Sequence, residues 1–492
     1  VNGSPEVVVV GAGSAGLYAA LTAAREGART VLVAQAALAS TASYWAQGGI
    51  AAALGEDDSI ELHQADTLAA GRGLSRVSAV RALVAGAPSA VEDLIALGVD
   101  FDRDGERLAL GLEGGHSRRR VVHAGGSATG RRITRQLSAQ VAEHPLIEVV
   151  EHASAKALVV ADGRCVGVRV ELADGSRTIA SRATILATGG SAALWARSTN
   201  PPAAVGSGLL MAHAAGAELA DLEFLQFHPT ALLSPSRNQG FLITEAARGE
   251  GATLIDEHGE RFVDELAPRD EVAAAVERRI TGADGPASPV FLDMRGIDPL
   301  LFPNVFTKIE QAGIDPRTRP VPVAPAAHYT MGGVVSDLNA RTSVPGLHAV
   351  GECACTGLHG ANRLASNSLA ECVVYGRRAA LSAISEPAPG ANVLADVAAG
   401  RIPAAEYTPD PDPAATRDLL WECAGIERTA SGLARLGASP SPLVRLIGAA
   451  SLAREETRGA HHRLDFPETD HDLDLQHFVL RGDAPPAPER WE

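Results

Sequence analysis

At 492 residues the chain is longer than one hydrophobic core usually serves, so two or three domains are expected. Hydrophobic residues at 46% and charged residues at 21% exclude a disordered or fibrous protein, and a formal net charge of −16 excludes the extended cationic face that nucleic acid or an anionic membrane requires. Five cysteines, an odd number with only Cys353 and Cys355 close together, give neither a disulfide framework nor metal-ligand spacing and point to the reducing cytoplasm, and no run of about 18 apolar residues predicts a membrane span.

The first predicted element is a strand, Glu6 to Val10, whose β-branched run reads as strand rather than signal peptide. A glycine turn follows, then an alanine-rich helix from Ser14 to Gly27 and a second strand from Thr30 to Val33. A comparable strand, Ala183 to Ala187, runs into Thr188-Gly189-Gly190. A third, Leu347 to Val350, follows the turn Val344-Pro345-Gly346 and runs into Gly351-Glu352. Between these lies a mixed segment, 223–330, with Gly-, Pro- and Arg-rich loops and a helix around Pro268 to Ile280, which has the character of an inserted lid. Residues 386–414, with alternating Pro409, Pro411 and Pro413, are expected to form an extended linker. Helical patterns follow at Ala415 to Gly425, Glu427 to Leu436 and Pro442 to Arg458, and the tail from Ala484 is expected to fray. No internal repeat of solenoid period occurs.

Gly11-Ala12-Gly13-Ser14-Ala15-Gly16 sits between the first strand and its helix. Missing side chains there let backbone N–H groups approach a pyrophosphate at the positive helix end. The acid that would bind a ribose after the second strand is absent, and Ala34 and Gln35 stand in its place, which argues against an ordinary NAD site. The two later strand-glycine units favour FAD, which is long enough to touch several strand ends. Arg118-Arg119-Arg120 reads as a solvated basic run.

Ser40-Thr41-Ala42-Ser43-Tyr44-Trp45-Ala46-Gln47-Gly48-Gly49-Ile50 resembles the second flavin-contacting segment of the succinate dehydrogenase/fumarate reductase flavoprotein superfamily. Further matching segments follow in order: Glu113 to Ser117, Gln226 to Thr230, Thr244 to Gly249, Ala267 to Asp270, His328 to Gly333 and Gly357 to Leu369. The resemblance implies an α/β fold, with a discontinuous Rossmann-like FAD-binding domain (1–222 and 331–395), an inserted α+β capping domain (223–330) and a C-terminal helical domain (396–492). It implies that FAD is held by Gly11, Gly13, Ser14, Ala15, Gly16, Gln35, Ser43, Ala46, Gln47, Gly48, Gly49, Thr188, Gly189, Gly190, Ser207, Glu352, Ser368 and Leu369. Ser207 departs from the pattern, in which an aspartate usually stands near the flavin.

A four-carbon dicarboxylate needs two separated anion clamps, and the matched residues His228, Thr244, His328 and Arg363 have the required chemistry. Arg269 matches the superfamily's proton-shuttling arginine, and Glu245 is placed to orient substrate or relay that proton. Where membrane-complex subunits carry FAD on a histidine, this chain has Ala42, so the flavin is expected to be non-covalent. Glu113 resembles the carboxylate that meets an ammonium group in the branch of the superfamily that oxidises L-aspartate. That branch implies oxidation of L-aspartate to iminoaspartate, reoxidation by oxygen to peroxide or by fumarate to succinate, and delivery of the product to quinolinate synthase for NAD biosynthesis. The alternative is a soluble fumarate reductase or an electron-transfer flavoprotein subunit. The oligomeric state, monomer or weak homodimer, is not set by the sequence.

Overall fold

A computed structural model of the chain describes residues 5–38, 41–233, 240–283, 285–409 and 413–492. Ser40 of the flavin-contacting motif and Pro411 of the expected linker lie outside the described residues.

The central sheet is wholly parallel, in the order Leu347–Ala349, Ala183–Leu186, Val7–Val10, Thr30–Val33, Ile147–Val150. Its middle strand is four consecutive valines, all buried, because both faces of a parallel sheet are covered. Val7 and Val9 pack with the helices Ser14–Arg25, Val77–Ala96, Thr129–Glu143 and Asn367–Ile384. Val8 and Val10 face the opposite core, against an antiparallel sheet (Ser154–Ala161, Arg164–Leu172, Gly175–Ala180) and the C-terminal helices Ala430–Leu436 and Pro442–Ala453. Each buried valine contributes roughly 1.5–3 kcal/mol over exposure. The fold is thus the α/β architecture that the motifs implied.

A separate core fills the segment between residues 225 and 330. Five antiparallel strands, ordered Phe241–Leu242, Leu225–Leu232, Val321–Thr330, Val290–Asp293, Thr253–Ile255, pack there with the helices Arg269–Thr281 and Pro303–Gln311. The chain enters through Asp221, held at φ 59°, and leaves through Met331, whose N–H donates to the Phe224 carbonyl. Gly332 is required at the exit, since a Cβ would collide with the Asp221 carbonyl.

Four expectations fail. The tail does not fray: Ala487–Arg490 pairs antiparallel with Gln476–Leu480, which in turn pairs with Leu219–Ala220. The expected linker contains a helix, Ala391–Ala398, and a strand, Ala404–Ala405, that extends the antiparallel sheet. The last long helix stops at Ala453, because Arg454, Glu456 and Arg458 turn inward to a buried network in which Arg454 meets Glu223 at 2.7 Å and Glu456 at 2.9 Å. Arg120 is not solvated but fully buried, donating through Nε and Nη2 to the two oxygens of Asp58 at 2.8 Å and through Nη1 to Asp66 at 2.5 Å, whereas Arg118 and Arg119 are exposed. Among the described residues no helix is long and apolar enough to cross a membrane.

Candidate functional site

Three neighbouring parallel strands end in Gly11, in Gly189-Gly190 and in Gly351, so all three glycine turns line one carboxyl edge of the sheet, where open α/β sheets bind ligands. Gly11 adopts φ 111° and a Cβ there would collide with the Ala187 carbonyl, while one on Gly16 would collide with the Gly11 carbonyl. The helix Ser14–Arg25 begins after Gly13 with no side-chain cap and no acidic residue in its first turn, which leaves its positive end available to an anion. Ser43 reaches this end from the turn Ala42–Trp45, its Oγ accepting from the Ser14 N–H at 3.0 Å. Ala15 is buried in the same turn, and Gln35 is exposed at the carboxyl end of Thr30–Val33.

Further along the edge, Glu352 Oε1 accepts from the Thr330 N–H at 2.9 Å and lies so near Gly190 that a Cβ there would strike it. Burial pushes the Glu352 carboxyl up to about 7, against the Thr330 bond and Arg363. Ser207 opens the helix Ser207–Ala214 after Gly206, and the next residue, Gly208, presses on Thr188. Ala46 accepts from the Gly130 N–H through its carbonyl, Gln47 donates to the Leu242 carbonyl of the inserted segment at 2.6 Å, and Gly49 donates to Ser366 Oγ at 3.1 Å. Gly48 faces Ser366 and Glu113. Ser368 and Leu369 form the first turn of Asn367–Ile384, which has neither an acidic residue in that turn nor a side-chain cap. The buried oxygens of Ser14, Thr41, Thr188 and Gln47 lack protein partners. Uncapped helix ends, glycine-lined approaches and orphaned polar atoms at and near this sheet edge suit a dinucleotide that brings phosphate, ribose and ring acceptors and donors.

Beside this edge the strands Leu225–Leu232 and Val321–Thr330 pair with a register shift, so that Gln226 opposes Tyr329, Phe227 opposes Ala327 and His328 is passed over. His328 meets His228 edge to face, ring centroids 5.2 Å apart. Thr199 Oγ1 lies 2.8 Å from His328 Nδ1, while His228 Nε2 is buried without a partner. Burial, and then the nearby Arg269, hold both imidazoles well below their ordinary range, so both are neutral at pH 7. Gln226 Oε1 accepts from Arg269 Nη1 at 3.0 Å and from Arg363 Nε at 3.3 Å, tying the two guanidinium groups together. Arg269, the first residue of its helix, also donates through Nε to Glu245 Oε2 at 2.5 Å. Arg363 donates to Ser368 Oγ at 2.8 Å and stacks 4.3 Å over the Tyr329 ring. Burial, and then repulsion from Arg269, lower Arg363 to about 10. Arg248 is buried, its Nη2 forming an ion pair with Glu245 Oε1 at 3.4 Å and its Nε lacking a hydrogen-bond partner. Thr244 is buried next to Glu245, its carbonyl accepting from the Ala247 N–H.

Glu113 approaches from the other side on a loop packed against Glu245, whose carboxyl a Cβ on Gly114 would strike. Ser366 Oγ donates to Glu113 Oε2 at 2.6 Å, and Oε1 is buried with no hydrogen-bond partner. Burial pushes this carboxyl up, yet His123, Ser366 and Arg269 outweigh it and hold it down to about 2. Its loop is anchored from behind. Arg120 donates to His116 Nδ1 at 3.3 Å, which leaves His116 Nε2 to donate to the Ala365 carbonyl at 2.9 Å.

The structure therefore brings His228, Thr244, Glu245, Arg269, His328, Arg363 and Glu113 to one place. Gln226, Arg248 and Ser366 lie with them and were missed as site residues. Gln226 had a legible signal, since it stands two residues from His228 on one strand. Ser366, at φ 60°, had none.

The sequence matches the model of the family described as "FAD binding domain" over residues 6–369 and that described as "Fumarate reductase flavoprotein C-term" over residues 442–487. A chain of E. coli quinol fumarate reductase superposes with a TM-score of 0.88 at 28% identity, covering 100% of this chain and 97% of that one. The chain is an FAD-dependent oxidoreductase of the succinate dehydrogenase/fumarate reductase flavoprotein superfamily. It is 46% identical to the L-aspartate oxidase of Mesorhizobium japonicum over 96% of this chain and 93% of that protein, and 43% identical to that of Streptomyces coelicolor over 97% and 91%. Within the superfamily it belongs to the L-aspartate oxidase family. FAD is its cofactor and is bound non-covalently, Ala42 leaving the turn Ala42–Trp45 without a histidine to carry a link.

Proposed function

We propose that this chain oxidises L-aspartate to iminoaspartate, the first step of NAD biosynthesis, in the cytoplasm, and passes the product to quinolinate synthase. The observation that carries this reading is Glu113: a buried carboxylate with one unpartnered oxygen, beside three buried guanidinium groups. Arg248, Arg269 and Arg363 against Glu245 and Glu113 leave one net positive charge, which complements a substrate with two carboxylates and one ammonium. A carboxylate can only accept, so Glu113 has no use for a second substrate carboxylate and suits an ammonium.

Arg363, with His228 and His328 as neutral donors, holds one substrate carboxylate, and Thr244 with Arg269 holds the other. Fixed at both ends, the substrate presents its Cα–H in one orientation, which replaces an improbable encounter with a unimolecular step. Gln226 sets the spacing between the two arginines. In the reverse direction Arg269 gives a proton to carbon, and Glu245, at 2.5 Å from it and 3.4 Å from Arg248, shares that proton so that the guanidinium need not be free. The residues lining the carboxyl edge of the sheet hold FAD, and segment 223–330 caps it. FAD held there would supply the hydride acceptor for aspartate and the electrons for reducing oxygen to peroxide or fumarate to succinate.

Mixing the purified yellow protein anaerobically with L-aspartate or with succinate, while following flavin absorbance, tests the reading. Bleaching by aspartate alone is expected. Bleaching by succinate alone, or by neither, would replace it with a fumarate reductase or an electron-transfer subunit.

A further inference from the structure

Oxidising an amino acid makes a demand that reducing fumarate does not. Removing a hydride from a carbon that bears an ammonium group gives a carbon–nitrogen double bond, as an iminium, only when one N–H proton also departs. For each hydride taken at Cα, one proton must therefore be accepted on the nitrogen side. Fumarate carries no such proton.

In the reading above, on which this inference rests, Glu113 meets the ammonium. Its carboxylate is a poor final resting place, since the Ser366 hydroxyl and the nearby Arg269 both favour its ionised form. Behind it stands His123. His123 Nε2 lies 3.4 Å from Glu113 Oε1, and both atoms are buried without a hydrogen-bond partner. The imidazole packs against Gly111, and its side chain is 15% exposed, so part of it reaches solvent while Nε2 is buried. The other histidine of this region, His116, has both nitrogens engaged, by Arg120 and by the Ala365 carbonyl. Two further groups beside the pair are committed. Ser366 donates to Glu113 Oε2, and Asp102, whose N–H donates to the His123 carbonyl, has its carboxylate occupied by the N–H groups of Gly125 and Gly126. Arg248 and Arg269 face Glu113 from the inserted segment and act on it as positive charges.

We propose that His123 accepts, through Glu113 Oε1, the proton that the substrate ammonium gives up during amino-acid oxidation. The substrate N–H bond breaks as the Cα–H bond gives its electron pair to the oxidised flavin, a new N–H bond forms at His123 Nε2, and the imidazolium returns its proton to water at its exposed part. His123 touches no substrate atom and acts through Glu113, as a positioning residue for this proton. A 3.4 Å separation without substrate is compatible with such a path, since catalytic hydrogen bonds commonly tighten only in the loaded complex.

The test uses the FAD-loaded full chain and its His123→Gln variant, in which a hydrogen-bonding group remains but no base. Three quantities are measured: anaerobic flavin reduction by L-aspartate, fumarate reduction by an artificial donor, and calorimetric affinity for 2-methyl-L-aspartate, which has the ammonium but no Cα–H. Flavin reduction by aspartate is expected to fall about 10²-fold or more. Fumarate reduction and 2-methyl-L-aspartate affinity are expected to stay within about twofold. In His123→Gly, added imidazole is expected to restore aspartate oxidation. An unchanged aspartate rate, an equal fall in both reactions, a loss confined to affinity, or failure of imidazole to restore the rate overturns the proposal. Wild-type protein that reduces fumarate but never oxidises aspartate overturns the substrate reading instead, so the two failures are distinct.

Discussion

Gln226 offers the most direct measure of how the anion clamp is built. Its Oε1 accepts from Arg269 and Arg363, and its Nε2 donates to Asn362 Oδ1 at 3.0 Å and to the Arg363 carbonyl at 2.8 Å, all within a fully buried setting. Gln226→Leu preserves the approximate volume and removes all four bonds. Each hydrogen bond to a charged donor contributes roughly 1.5–3 kcal/mol. The two guanidinium bonds share one acceptor and repel one another, so their losses do not add, and about 3 kcal/mol is a reasonable total. That corresponds to about 10²-fold in the dissociation constant of succinate, read from the perturbation of flavin absorbance. The melting temperature should fall with it. Gln226→Glu separates electrostatics from packing, because a carboxylate between the two arginines keeps them together while cancelling one positive charge. It should weaken succinate binding without lowering the melting temperature. Succinate affinity within about twofold of wild type in Gln226→Leu, or identical behaviour of the two variants in both assays, would refute the account of Gln226 as the spacer.

Glu113→Gln should lower aspartate oxidation by about 10²-fold or more, because the substrate ammonium loses its buried partner, while fumarate reduction persists; parallel loss in both steady-state assays would contradict a role confined to the ammonium. Arg269→Leu should abolish both reactions, with the flavin spectrum retained as evidence that the cofactor site is intact. Acid should destabilise the protein in part through His63, which is held neutral by burial at about 4 while bonded to Asn367. Its folded value lies below the unfolded one, so its contribution is present above about pH 6.5 and is lost as pH falls towards 4. The pH dependence of the melting temperature in that window should flatten in His63→Gln, and an unchanged slope would count against it.

The parallel sheet was legible because its signals are local: four valines followed by a glycine turn identify a strand buried on both faces without knowledge of any distant residue. The cluster around Arg363 became legible only through resemblance, since no spacing rule joins Glu113, Arg269 and Arg363 across the chain. Arg120 was misread because nothing in three consecutive arginines distinguishes the one whose partners, Asp58 and Asp66, arrive from elsewhere. His328 reaches its position through a register shift, which strand alternation does not anticipate. The helix Ala391–Ala398 is short, flanked by Pro and Gly, and is held by packing of Val397 against the antiparallel sheet rather than by its own propensity. The tail strand depends on pairing with Gln476–Leu480, a partnership that a Pro-rich segment does not advertise.

The strand order carries a consequence for biosynthesis. Ala183–Leu186 is made early, yet its outer neighbour Leu347–Ala349 emerges only after the entire inserted segment has been translated. During that interval the nascent sheet presents an unpaired border of parallel strand, a surface prone to illegitimate pairing. The insertion has its own interior and can condense before that border is sealed. Nascent chains halted before residue 347 should therefore lean on chaperones, and those released beyond it should not.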